Sequence, residues 1–366
     1  MSQKNRQQQP EQQAQTAAAK RRSRRNLATI AATVIAILLT AGALARWTGS
    51  AAFSPPAPPP PLPDPTPPTL SKEYIYANGG RLLAVEDAGA QTAVPTDLAV
   101  WRLSGGTGTW YVLQSGTSTT VAGNWGTTGD LPAPGDYDGD GKTDFTVYRP
   151  STGVTYILQT STNTLVSVTY GGSSDVPAPA DYDGDGRSDL GLYRASSSTF
   201  YFITSSDNSA GSLAVGSSGD VPAVSDYDGD GRADVAVFRG SNGTWYWLKS
   251  GSNNASGSQS FGTSGDKPAP GDYTGDGRSD FAVFRPGTGT WYILDNCTGS
   301  CSYTSTSFGL STDTLVPGDY DADGKTDIAV WRSSTGYWYI QKSTAGYYSA
   351  QFGSPGDFPV PAPYRR

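Results

Sequence analysis

Asp136-Tyr137-Asp138-Gly139-Asp140-Gly141-Lys142-Thr143-Asp144, running into Phe145-Thr146-Val147-Tyr148-Arg149, is the stretch that decides how this chain folds. The loop, Asp-x-Asp-x-Asp-Gly-x-x-Asp, starts at Asp136 and again at Asp181, Asp226, Asp272 and Asp319, about 45 residues apart each time. These five loops hold 19 of the 33 acidic residues of the chain. Carboxylates crowded in this way repel one another unless a cation sits among them.

The alternation of oxygen donors suits a hard cation that takes six to eight oxygen ligands, and calcium is the ion expected. In the first loop Asp136, Asp138 and Asp140 supply carboxylates, Gly141 allows the tight turn, the carbonyl of Lys142 is placed as a further ligand, and Asp144 closes the site. The equivalent sets are Asp181, Asp183, Asp185, Arg187 (carbonyl) and Asp189; Asp226, Asp228, Asp230, Arg232 (carbonyl) and Asp234. They continue as Asp272, Thr274, Asp276, Arg278 (carbonyl) and Asp280; and Asp319, Asp321, Asp323, Lys325 (carbonyl) and Asp327. About five calcium sites are therefore expected, the fourth being the weakest because Thr274 stands where the others have Asp. None is an EF-hand: position twelve of the first loop is Val147 rather than Glu, and no helical pattern flanks the loops.

Around each loop the chain repeats short apolar and aromatic runs. The run after the loop ends in aromatic-Arg: Leu98 to Arg102, Phe145 to Arg149, Leu190 to Arg194, Val235 to Arg239, Phe281 to Arg285 and Ile328 to Arg332. A second aromatic run follows, as in Trp110-Tyr111, Trp245-Tyr246-Trp247, Trp291-Tyr292 and Trp338-Tyr339. Alternation, β-branched and aromatic content and Gly-rich punctuation predict short strands. Four strand-sized pieces in about 45 residues make one propeller blade. Six such units span residues 96–366, and only five carry the loop, because the first begins at Asp97. The segment Gly356-Asp357-Phe358-Pro359 lies where a further inner strand would start, so it is expected to complete the first blade and close the ring. The fold class is thus all-β, a six-bladed β-propeller closed by pairing of its N- and C-terminal segments. Residues 71–95, a hairpin around Asn78-Gly79-Gly80, are expected to pack outside the ring.

The loops, their place before an apolar strand, and the pairs Phe261-Gly262, Phe308-Gly309 and Phe352-Gly353 resemble the FG-GAP/VCBS repeats of integrin α-chain propellers and many bacterial surface proteins. That resemblance implies calcium in the loop between the first and second strands of a blade, and frequently adhesion. Integrin propellers have seven blades, so their partner binding does not carry over to six.

The N-terminal residues 1–26 carry seven basic side chains against Glu11, and residues 27–45 contain no charge. About 20 apolar residues cross a bilayer as a helix, and the basic flank stays cytoplasmic. Everything after Arg46 is then extracytoplasmic, at the periplasm or cell surface, held by a single-pass anchor. Cleavage after Ala43-Leu44-Ala45, giving a secreted protein, is the alternative. The linker 46–70, with its proline tract from Pro55 to Pro68, forms a stiff spacer. Export agrees with a disulfide between the only cysteines, Cys297 and Cys301. It also agrees with the charge of −7, which leaves −13 outside the basic leader and argues against nucleic acid as a partner.

Two more features recur in every unit: the arginine ending the first apolar run, and an aspartate before the next inner strand (Asp130, Asp175, Asp220, Asp266, Asp313, Asp357). Matched numbers suggest an Arg–carboxylate pair per blade, with a ring of Arg and aromatic groups stacking on sugars as the alternative. With no histidine in the chain, Ser-His-Asp and Cys-His nucleophiles are excluded, and no blade is marked as catalytic. The expected function is not enzymatic. It is an anchored, calcium-binding surface module that adheres to a glycan or a surface protein. A calcium-hardened spacer or assembly component is the competing reading, and a calcium-assisted polysaccharide-active enzyme a more distant one.

Overall fold

Proline keeps the innermost strand short in five of the six units. Pro132, Pro177, Pro222, Pro268 and Pro359 each end a two-residue strand, and a residue without an N–H can pair on one side only. Such a strand belongs at an edge, and here that edge faces the ring axis. The computed structural model describes residues 72–77, 81–87, 95–296 and 301–360, all within the unit Pro65–Arg366. The expected leader, membrane segment and proline linker lie outside these residues. Among the described residues no helix is long and apolar enough to cross a membrane.

Six antiparallel four-stranded sheets form the blades of a β-propeller. The fifth shows the common plan: an inner strand Lys267–Pro268, a second strand Phe281–Arg285, a third Thr290–Leu294 and an outer Tyr303–Ser307. In the first blade the inner strand is Phe358–Pro359, which pairs antiparallel with Leu98–Ser104, so the two ends of the ring meet in one sheet as expected. Neighbouring blades are also tied at the loops. The amides of Ser188, Ala233, Ser279 and Thr326 donate to the carbonyls of Asp136, Asp181, Asp226 and Asp272 in the preceding blade, and Thr96 donates to Asp319 across the closure.

The core lies between blades. Second strands are buried on both faces, as in Ala236, Val237 and Phe238, while third strands alternate. Trp110, Trp245, Trp291 and Trp338 are fully buried there, each worth roughly 1.5–3 kcal/mol by removal from water. They pack across to the next blade: Trp110 stacks on Phe145 at 5.4 Å, and Trp245 meets Phe281 at 5.6 Å. The indole N–H of Trp245, Trp291 and Trp338 donates to the carbonyl of Phe261, Phe308 and Phe352. The glycine after each of these phenylalanines holds a positive φ, and its carbonyl lies so close to the second-to-third hairpin that a Cβ on Gly289 would sit 2.4 Å from the Gly309 oxygen. The Phe-Gly pairs are therefore hinges that bring the outer strand back beneath the next blade.

Lys72–Ala77 and Arg81–Asp87 pair as a hairpin of their own and add to no blade. The hairpin does not pack outside the ring. Its first strand lies against Thr314–Leu315 and its second against Val176–Pro177 and Val221–Pro222, the inner strands of blades six, three and four. Blades three and six are opposite each other, so the hairpin spans the axis. Inner strands only two residues long leave room there for another backbone.

Candidate metal sites

Antiparallel blades send the inner-to-second and third-to-outer connections to one rim and the other connections to the opposite rim. The acidic loops occupy the first rim. Each folds as nested Asx turns: the Asp136 carboxylate accepts from the amides of Gly139, Asp140 and Gly141, and Asp140 accepts from Lys142. The last aspartate is the best buried. Asp144, Asp189, Asp234, Asp280 and Asp327 are all 0 % exposed. Each accepts one amide from the tyrosine after the first loop aspartate and a second from the third-to-outer connection.

Carboxylate oxygens converge within 4.8 Å in four groups: Asp136, Asp138 and Asp144; Asp181, Asp183 and Asp189; Asp226, Asp228 and Asp230; Asp319, Asp321 and Asp327. Asp140, Asp185 and Asp323 stand outside these tight groups, as does Asp234 in the third loop. Asp140 and Asp185 lie near the side chains of Lys142 and Arg187, and Asp323 accepts from the Ser343 and Thr344 hydroxyls. No such group forms among the described residues of the fourth loop, where Asp272, Asp276 and Asp280 surround Thr274. The amides of Lys142, Arg187, Arg232, Arg278 and Lys325 donate to the third aspartate of their own loops.

The donor set fits a hard divalent cation. Asp228 Oδ1 and Asp321 Oδ1 are buried and accept no hydrogen bond, a costly state for a carboxylate oxygen that a cation would relieve. Burial, opposed by backbone amides and reinforced by neighbouring loop carboxylates, raises Asp144, Asp189, Asp234, Asp280 and Asp327 to about 7. The same balance raises Asp136 and Asp226 to about 6. Replacing Thr274 with Asp should supply the missing carboxylate and tighten cation binding at the fourth loop by roughly tenfold. Calorimetric titration that leaves the weakest site unchanged would count against this reading.

Three contributors escape a reading of the loop motif alone. Hydroxyls from the third-to-outer connection reach the loops: Ser161 donates to Asp138, Ser206 to Asp183, and Ser250 to Asp230 and Asp234. The tyrosine of each Asp-Tyr pair anchors its loop by donating from the phenol to the carbonyl of Ala133, Ala178, Ala223, Ala269 or Val316. The fourth loop position is glycine because the next blade leans on it: a Cβ on Gly139, Gly184, Gly229 or Gly275 would meet Arg187, Arg232, Arg278 or Lys325 at 3.0–3.2 Å. In the fifth loop that position is Ala322, held at φ 60°. Across the closure Thr96 takes the place of Ser188 in donating to the Asp319 carbonyl, and Pro95 stands where the other blades have Arg or Lys. Asn296 ties the fifth blade to the fourth, its Nδ2 donating to the carbonyl of Tyr227 as well as to that of Ser279 in its own blade. Cys301 beyond it is disulfide-bonded, and Cys297 lies outside the described residues.

The opposite rim holds the second repeated feature. In all six blades the arginine ending the second strand forms two hydrogen bonds of 2.7–2.9 Å through Nε and Nη2 with the aspartate that precedes the inner strand of the same blade. Its guanidinium also lies 4.4–4.8 Å from the ring centre of Tyr111, Tyr156, Tyr201, Tyr246, Tyr292 or Tyr339. The pairing expected from matched numbers is thus present within each blade, and the arginine faces are already spent on tyrosine.

Residues 226–283 and 272–330 match the family model of the FG-GAP-like repeat. None of the curated proteins compared matches the chain. Among solved structures, a lectin from Agrocybe aegerita described as recognising non-reducing terminal N-acetylglucosamine is 13 % identical, with 80 % of this chain and 94 % of that chain covered and a TM-score of 0.47. A catalytically inactive virginiamycin B lyase from Staphylococcus aureus with quinupristin is 9 % identical, over 76 % of this chain and 88 % of that one, with a TM-score of 0.44. The WD40 domain of Toxoplasma gondii coronin is 14 % identical, over 81 % and 77 %, with a TM-score of 0.40.

Proposed function

We propose that this chain, which carries FG-GAP-like repeats in a six-bladed propeller, is a calcium-binding module displayed outside the cytoplasm to bind a glycan or a surface protein. The observation that carries the calcium assignment is the pair of buried, unbonded carboxylate oxygens, Asp228 Oδ1 and Asp321 Oδ1, inside converging acid groups. Oxygen donors alone, on backbone too irregular to impose octahedral geometry, favour calcium over magnesium. Asp136, Asp138 and Asp144 and their counterparts would hold the ion. Bound calcium would supply positive charge that lets adjacent blades share one acidic rim.

The charge-free stretch 27–45 behind a basic leader supports export with retention in the membrane, and the proline tract supports a spacer that holds the propeller away from the bilayer. Binding rather than spacing is favoured by the junction of blades six and one on the acidic rim, where a cavity lies between the two blades. The direct test is retention of the full chain on immobilised cell-wall and extracellular polysaccharides, in calcium and then in chelator. Calcium-dependent retention supports the binding module. Absence of retention in both conditions favours the spacer.

A further inference from the structure

We infer that the junction between blades six and one is a binding site for a single sugar ring that carries a carboxylate, a uronate at a glycan end. The inference rests on the glycan-binding reading above and gives it a place and a ligand class. At this junction ring closure removes what fills four of the other five. Blades three to six each lean a basic loop side chain, Arg187, Arg232, Arg278 or Lys325, over the loop of the preceding blade. The first blade begins instead with Pro95, Thr96 and Asp97, and a cavity of about 250 Å³ lies beside them.

Its floor is apolar, made by Leu98, Leu113 and Ile340 with the ring of Tyr320. Its polar lining includes two nitrogen donors, Gln114 and Lys342. Gln114 is 5 % exposed, and its Oε1 accepts from the hydroxyls of Thr117 and Thr119. Its Nε2 amide is not sealed from solvent, and the side chain lines the cavity. The residues in the same position of the other five blades, Gln159, Thr204, Lys249, Asp295 and Lys342, are all more exposed. An amide donor that opens onto the cavity is available to a ligand oxygen.

Lys342 stands at the mouth with its ammonium 5.2 Å from the Tyr348 ring centre and no carboxylate partner among the described residues. Tyr348 is 43 % exposed. An ammonium and an amide donor select a carboxylate, the part of the Tyr348 ring that Lys342 leaves exposed offers a pyranose an apolar surface, and the small volume admits one ring rather than an extended chain.

The test uses the full chain in detergent with calcium present, titrated with methyl glucuronide and methyl glucoside and followed by ligand-observed NMR. Glucuronide should bind at least tenfold more tightly than glucoside, a difference of one charge-assisted hydrogen bond. Lys342→Met should erase that preference. Gln114→Glu, which keeps size and shape, should abolish glucuronide binding while leaving the melting temperature within a few degrees. Equal binding of the two sugars, or glucuronide binding that survives both substitutions, overturns the site. Polysaccharide retention without glucuronide binding overturns the seam site and leaves the glycan reading standing, whereas loss of both overturns the two together.

Discussion

Chelation should lower the melting temperature of the purified chain by on the order of 20 °C at neutral pH. A site held at ten times its dissociation constant contributes about 1.4 kcal/mol, and exported modules commonly bind calcium with constants of about 10⁻⁴–10⁻³ M. Four such sites in 10 mM calcium, the weak fourth loop set aside, contribute roughly 6 kcal/mol, and a propeller of this size shifts by about 2–4 °C per kcal/mol. The pH dependence distinguishes this from a general salt effect. Without the ion, burial holds Asp144, Asp189, Asp234, Asp280 and Asp327 at about 7 in the folded state, against about 3.9 in the unfolded chain. The folded state therefore binds more protons between these values. Stability in chelator is then greatest near pH 4 and is lost as pH rises through 7. With calcium bound the carboxylates are held ionised, and this loss should vanish. Calorimetric scans between pH 4 and pH 8, with calcium and with chelator, check both parts. Superimposable scans would mean that the loops are hydrogen-bonded turns and nothing more.

The acidic loops were legible because a bound cation would require oxygens at fixed spacing, and that spacing is written within nine consecutive residues. Ring closure was legible for a related reason: Asp357-Phe358-Pro359 repeats the start of every other inner strand, and only the first blade lacks one. What the loops lean on was not legible. Ser161 reaches Asp138 from 23 residues away, out of a Ser/Thr-rich turn that resembles any other. Gly139, at a positive φ, also meets Arg187 of the next blade, a contact that no local pattern announces, and the matching position across the closure is Pro95 rather than a basic residue. The hairpin Lys72–Asp87 was misplaced because a two-stranded piece that pairs with nothing carries no sign of where it rests; two-residue inner strands decide that question.

The second large effect belongs to the opposite rim. Arg285→Met should destabilise the protein by about 2–4 kcal/mol, at the lower side of the range for breaking a buried pair because the arginine is partly solvated. Asp266 has a side chain only 1 % exposed, against 31 % for Arg285, and it also accepts from the Thr263 amide. Removing the guanidinium strands a buried carboxylate between a turn and the inner strand, while the methionine keeps the apolar stem against Tyr292. Asp266→Asn should cost less, since the amide oxygen still accepts from Thr263. Combining the two should recover at least half of the loss from Arg285→Met, because the stranded charge is gone. Denaturant unfolding of the three variants measures this coupling directly. Strict additivity would show that the pair holds no blade together. The arginines would then be free to serve as a sugar-stacking ring, the alternative that their contacts with Asp and Tyr in all six blades argue against.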